Sequence, residues 1–224
     1  MSAASLGDRT SPEAAAAADR VLVVPVGATE QHGPHLPLST DTDLAVALAD
    51  AVARGRDDVV VAPAVAYGSS GEHQAFSGTL SIGRDALLLL LVELVRSATE
   101  TFGRVLLVST HGGNAAPVRD AVALLRDEGR DVRAWSPEWG GDAHAGHVET
   151  SLVLALTPDR VRGGGPVGDR RPLRDVLPEL RRGGVAAVSA NGVLGDATTA
   201  HLDAGRTLLR RATADLDRTI ARWG

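Results

Sequence analysis

VLVVPVGATEQHGPHLPLSTDTDLAVALADAVAR, residues 21–54, decides the fold. Its opening run Val21–Val26 is β-branched and free of charge, the pattern of a strand buried on both faces, and it gives way at Gly27 to a polar loop. The Pro and Gly of that loop delay regular structure until Asp43. From there apolar residues recur at helical spacing to Arg54, and Gly55 marks the stop. Strand, polar loop and amphipathic helix in that order make the first half of a parallel crossover unit.

The same unit repeats downstream. Strands are expected at 59–62, Arg104–Ser109 and Val132–Trp135, with a late one at 185–189. Helices are expected at 84–100, Ala115–Asp127, 148–156 and 200–223, and a Gly- and Arg-rich surface loop at 162–171. Such alternation predicts an α/β fold with a mostly parallel sheet and helices on both faces. Ligands in these sheets sit beyond the C-terminal ends of the strands. Residues 1–20 read as a flexible N-terminal arm without an export signal, and 21–224 as a single catalytic domain.

Composition narrows the function classes. At 224 residues and 44% hydrophobic, the chain can bury a core without staples. Its 23 basic and 28 acidic residues form no long block, which argues against nucleic acid or a membrane surface as partner. The most apolar run, 86–92, is far shorter than the roughly 18 residues of a membrane span, so a cytoplasmic protein is expected. With no cysteine, any metal must be held by His and carboxylates.

Those residues gather after the strands. Behind the first, Glu30 and His32 are two apart, so an extended backbone points both the same way, and Asp41 can fold back to meet them. Behind Arg104–Ser109 comes THGGN with His111, and behind the next strand DAHAGHVETS with Asp142, His144, His147 and Glu149. Taken singly, the first cluster also reads as a surface loop and the second as a capped turn. Together they hold most of the seven histidines, more polar groups than a core keeps unpaired. One metal takes about four ligands. Glu30, His32, Asp41, His111 and Glu149 make five candidates, which suits two divalent ions sharing a carboxylate; zinc, manganese or ferrous iron would accept them. His144, left unligated, would carry the proton to the leaving nitrogen of an amide. His73, beside Glu72, is a candidate substrate contact. Trp135 and Trp139 could wall a pocket for a flat substrate, although core packing serves Trp135 equally well.

VGATEQHGPHLPLSTDTD, GEHQAFSGTLSIG, THGGN and DAHAGHVETS together resemble the creatininase family over most of the chain. The resemblance implies a three-layer α/β/α sandwich, a two-metal centre, hydrolysis of an amide C–N bond and a homo-oligomer. Carried over residue by residue, Glu30, His32, Asp41 and His111 match metal ligands, with Asp41 bridging. Glu149 supplies the fifth ligand, and His144 and Glu149 are the catalytic residues. Gly113 stands where creatininase has a functional Glu, Ser39 where relatives carry Asp, Thr110 where many have Gly and Ala197 where a Pro is usual. The segments SGEHQAFSGTLSIG and AVSANGVLGDAT resemble one branch of the family. Its substrate is a small precursor peptide whose terminal Val-Tyr pair has been decarboxylated and crosslinked. Hydrolysis at the preceding Gly–Val bond would release the seed of a redox cofactor. Creatinine or formamide hydrolysis, and a non-catalytic metal-binding protein, are the alternative readings.

Overall fold

The computed structural model describes residues 5–223. Its centre is four parallel strands, β1 (Val21–Val26), β2 (Val59–Val61), β3 (Arg104–Ser109) and β4 (Val132–Trp135), in the order β2-β1-β3-β4. Val21 pairs with Val59 on one side and Arg104 on the other, and Val105 pairs with Val132. Parallel strands need a crossover, and the intervening sequence supplies α2 (Thr40–Ala53), α3 (Arg84–Ala98) and α4 (Ala115–Asp127). Beyond the sheet follow α5 (His147–Leu156), α6 (Leu173–Gly183) and α7 (Leu202–Ala221), and a five-residue α1 (Ser11–Ala15) precedes it.

Side-chain alternation along each strand builds the layers. Val21, Val23, Leu106 and Val108 face α2 and α7, where Leu48, Val52, Leu216 and Ile220 cover them. Leu22, Val24, Val105 and Leu107 face the other way, onto Leu87, Leu91 and Val95 of α3 and Val118 and Leu125 of α4. Each such side chain, fully buried, contributes roughly 1.5–3 kcal/mol. These two layers therefore hold the sheet while the loops at its C-terminal edge stay free for chemistry. The architecture is the expected α/β/α sandwich. No helix among the described residues is long and apolar enough to cross a membrane.

Several expectations are corrected. Residues 1–4 of the expected flexible arm lie outside the described residues. The rest of it is tied down: the Leu6 N–H donates to the Val61 carbonyl, a capping box at Thr10 and Glu13 starts α1, and Ala17 is buried. The late strand at 185–189 is instead a 3₁₀ turn, Val185–Ala187, closed by local bonds from Val188 and Ser189 back to Val185. Its two alanines offer a strand little to bury. Helix α6 was not anticipated. Helix α2 begins at Thr40, three residues early, which puts Asp41 and Asp43 in its positively polarised first turn.

Helix α7 crosses α5 through Gly205, where a Cβ would lie 1.8 Å from the Ser151 carbonyl oxygen and 2.9 Å from Ala155 Cβ. Alanine is the better helix former by about 1 kcal/mol. Backbone cannot yield as a flexible side chain does, so Gly205→Ala is expected to destabilise the fold by roughly 1–3 kcal/mol. A lowered urea midpoint would register this; an unchanged or raised one would show that the crossing tolerates a methyl group.

Candidate metal centre

The strand ends deliver the polar residues to one place. After β1 the chain stays extended through Glu30 and His32, and the start of α2 brings Asp41 back alongside them. Asn114 pins the loops: its amide donates to the Gly27 carbonyl at 2.9 Å, and its side-chain oxygen accepts the Ser69 N–H at 2.9 Å. Thr110 ties the end of β3 to α2 through the Asp41 carbonyl at 2.7 Å. His111 follows directly. From the far side Asp142 caps α5, accepting the N–H groups of His147 and Val148, and so orients the turn bearing His144 and Glu149.

The side chains converge to ion-pair distances. His111 Nε2 lies 3.2 Å from Glu30 Oε2, and its Nδ1 3.5 Å from Asp41 Oδ2. His32 Nε2 lies 3.7 Å from both Asp41 Oδ1 and Glu149 Oε2. Asp41 thus turns one oxygen to each histidine. Two sets of three, Glu30–Asp41–His111 and His32–His144–Glu149, each bring one ligand atom per residue within 4.8 Å of the others. A third, Glu30–His73–His144, does the same.

Both oxygens of Glu30, His32 Nε2 and Asp41 Oδ2 are buried and make no hydrogen bond. Buried polar atoms left this way are destabilising unless a cation lies among them. The donor set fits that requirement. His32 Nδ1 is 3.2 Å from the Glu30 carbonyl, which can only accept, so Nε2 is the nitrogen turned toward the carboxylates. Glu149 Oε2 accepts the Ala145 N–H at 2.6 Å, and Ala145 holds φ 52° in the left-handed region, a conformation that costs a non-glycine residue roughly 1–2 kcal/mol.

Electrostatics carry the same signature. Burial, reinforced by the charge of Asp41, pushes the Glu30 carboxyl up to about 8. Burial alone would lower His32, but the charges of Asp41, Glu149 and Glu30 outweigh it and raise the imidazole to about 10. Burial lowers His73 to about 3 and moves His144 down as well, with the neighbouring imidazoles adding to both.

A cavity of about 600 Å³ opens over the cluster. Asp41, His73, His111, His144 and Glu149 line its floor, and Trp139 with Leu173, Leu177 and Leu180 of α6 forms its apolar wall. Trp135 is a correction: its indole packs in the layer beneath α7 and donates to Asp215 at 2.8 Å, so it does not line this cavity. Asp142 is a cap, and His147 meets Thr199 at the surface. Two contributors were missed from sequence. Gln31, between Glu30 and His32, is buried against His73 and His144. The α6 wall had a signal in the spacing of Leu173, Val176, Leu177 and Leu180, masked by Pro178 inside the helix. At Gly113 a Cβ would lie 2.2 Å from the Ser69 carbonyl and 2.7 Å from Glu72 Oε1, so this loop leaves no room for a side chain there.

Fold and centre together define an α/β/α amidohydrolase built to hold divalent metal. The profile of the creatininase family, described as creatinine amidohydrolase, matches residues 7–220, and the chain belongs to that family. A curated relative from Mycobacterium tuberculosis, the mycofactocin precursor peptide peptidase, is 49% identical over 97% of this chain and 91% of its own. Among solved structures, a creatininase mutant of zinc–zinc type superposes with TM-score 0.82 at 28% identity, covering 98% of this chain and 97% of that one. A manganese creatininase gives 0.80 at 28% identity, with 98% of each chain covered.

A metal on His32 Nε2 or Glu30 must displace the proton that the raised pKa values of about 10 and about 8 leave there near neutrality. Loading with zinc is therefore expected to release protons and to weaken as pH falls. Calorimetry in buffers of different ionisation heat measures the release; a pH-independent affinity would remove both residues from the ligand set.

Proposed function

We propose that this chain is a metal-dependent amide hydrolase that trims a modified mycofactocin precursor peptide, cutting the Gly–Val bond and releasing the crosslinked Val-Tyr-derived product for redox cofactor biosynthesis. The observation that carries the reading is the cluster of buried, unbonded ligand atoms at the floor of an apolar-walled cavity of about 600 Å³. That volume lies within the usual range for small-molecule sites and suits a two-residue product with an aromatic ring. The 49% identity to a named precursor peptide peptidase supports the substrate class.

In this reading, which follows the family resemblance, Glu30, Asp41 and His111 would hold one divalent ion and His32, Asp41 and Glu149 the other, leaving His144 unligated. Zinc, manganese and ferrous iron all suit the set. Divalent ions bound there would supply Lewis acidity toward the scissile carbonyl and toward water at neutral pH. The chain's own residues do the rest. His144 stands on the cavity floor with Nδ1 3.8 Å from both Glu30 Oε1 and Glu149 Oε2. Its Nδ1 would take the proton released by the attacking water and hand it to the departing nitrogen, which must be protonated to leave as an amine. Trp139 and the α6 leucines exclude water and take up the aromatic end of the substrate. The enzyme works in the cytoplasm on a peptide, as a homo-oligomer. The exposed Leu89, Leu90 and Leu94 of α3 support association.

Mass spectrometry of the metal-loaded enzyme with modified precursor, unmodified precursor and creatinine in parallel tests the assignment. Release of the crosslinked fragment from the modified peptide alone is expected; turnover of creatinine instead would move the chain to another activity of the family.

Two variants separate the roles. Asp41→Ala is expected to lose both ions and all activity. His144→Ala should keep the ions, read by elemental analysis, while kcat falls about 10²- to 10⁴-fold, the range for a lost general acid. Metal loss in His144→Ala would overturn the proton-carrying role.

A further inference from the structure

Gln31 occupies the space between two ring systems of the centre, and its hydrogen bonds can be counted to completion. Its side chain is buried, with Nε2 2.8 Å from His73 Nδ1, 3.1 Å from His144 Nε2 and 3.0 Å from the Gly192 carbonyl. Its Oε1 accepts the Gly33 N–H at 2.9 Å, which fixes which end of the amide is which. Its own backbone carbonyl lies 2.9 Å from His144 Nε2. Gly192 permits this approach: at φ +79°, any Cβ there would lie 2.0 Å from Gln31 Oε1.

A primary amide has two hydrogens for these three neighbours. The Gly192 carbonyl can only accept, so it takes one. The Gln31 carbonyl can also only accept, so His144 Nε2 must carry a hydrogen to satisfy it. That leaves the 3.1 Å approach between Gln31 Nε2 and His144 Nε2 as a packing contact between two donors. The second amide hydrogen therefore goes to His73 Nδ1. That nitrogen is then an acceptor, and His73 carries its own hydrogen on Nε2, 3.3 Å from Glu30 Oε1. His144, with its hydrogen on Nε2, turns a bare Nδ1 toward Glu30 and Glu149.

We infer that Gln31 is a positioning residue: its side-chain amide sets the tautomer of His73, its backbone carbonyl sets that of His144, and the two rings meet the metal centre with opposite functions. His73 turns its N–H toward the Glu30 carboxylate at 3.3 Å, an electrostatic contact that falls short of a hydrogen bond. His144 presents a lone pair, so a proton arriving during turnover lands on Nδ1, while the Nε2–H bond to Gln31 keeps the ring aimed. Before turnover both rings are neutral, and what is fixed is the side of each ring that bears the hydrogen; only His144 gains a second one in passing during the reaction. The inference rests on the hydrolase reading only for its effect on rate.

The test is long-range ¹H–¹⁵N correlation spectroscopy of histidine-labelled, zinc-loaded protein, with His73 and His144 assigned by single substitutions. In the wild type both rings should carry hydrogen on Nε2. Gln31→Glu replaces one nitrogen by oxygen: it still accepts from Gly33 but cannot donate to His73. His73 is then expected to move its hydrogen to Nδ1 while His144, held by the backbone carbonyl, does not change. With both zinc ions retained, kcat should fall about 10- to 100-fold, the usual range for a lost partner of a metal-site residue, and KM should stay near its wild-type value. Hydrogen on Nδ1 of either ring in the wild type overturns the proposal, as does an unchanged His73 in Gln31→Glu. Should that variant not fold, the wild-type spectrum alone decides. Because ring tautomers do not depend on which amide is cleaved, a failure here is distinguishable from a wrong substrate.

Discussion

Three carboxylates and four imidazoles share one water-poor space at the C-terminal edge of the sheet, and they do not satisfy one another. Glu30 keeps two oxygens without a hydrogen, and Asp41 and His32 keep one atom each. Left to itself such a cluster repels, and the raised affinity of Glu30 and His32 for protons is how the chain answers that repulsion before a metal arrives. The surrounding fold must therefore be strong enough to hold the cluster together against its own charge. Both apolar layers, the Asn114 staple between loops and the capping of α5 by Asp142 act toward that end. The left-handed Ala145 is a local measure of the force involved.

Much of this was legible in the sequence because the decisive signals are local. Val21–Val26 has no reading other than a buried strand, and the clusters after it, after Arg104–Ser109 and after Val132–Trp135 fall where a parallel sheet places ligands. Glu30, His32, Asp41, His111, His144 and Glu149 are brought together as the spacing and the family resemblance led one to expect. What the sequence hid depends on partners distant in the chain. Residues 185–189 are closed into a turn by local bonds from Val188 and Ser189 to the Val185 carbonyl, and the backbone that pairs with His144 belongs to Leu194. Trp135 and Trp139 are four apart and look equivalent. Only the direction of the strand end separates the one that donates to Asp215 from the one that reaches the cavity. Gln31 was invisible for the opposite reason: flanked by two candidate metal ligands, it draws no notice until its contacts with His73, His144 and Gly192 are seen.

The centre also shows how one element type serves two purposes. Each histidine offers an N–H or a bare nitrogen to the centre according to what stands behind the ring. His32 is backed by the Glu30 carbonyl, His111 by the Ser69 carbonyl at 3.0 Å and His144 by the Gln31 carbonyl. In each case a backbone acceptor, insensitive to side-chain substitution, chooses the nitrogen that faces inward. The extended run through Glu30, Gln31 and His32 provides two of these acceptors, so the shape of one short loop organises the chemistry of rings contributed by distant segments.

Helix α6 packs on the turns at Gly71–His73 and Val185–Ala187 rather than on the sheet. It walls the cavity with Leu173, Leu177 and Leu180, yet none of its residues joins either layer against the sheet, and Val176 alone is buried among them. Sequence drift in this helix can therefore reshape the pocket with little penalty to the two layers that hold the sheet. A lineage holding such an arrangement can explore new substrates by rewriting a roof while the hearth below stays as it was. That separation offers a physical reason why one family contains both creatinine amidohydrolases and a precursor peptide peptidase.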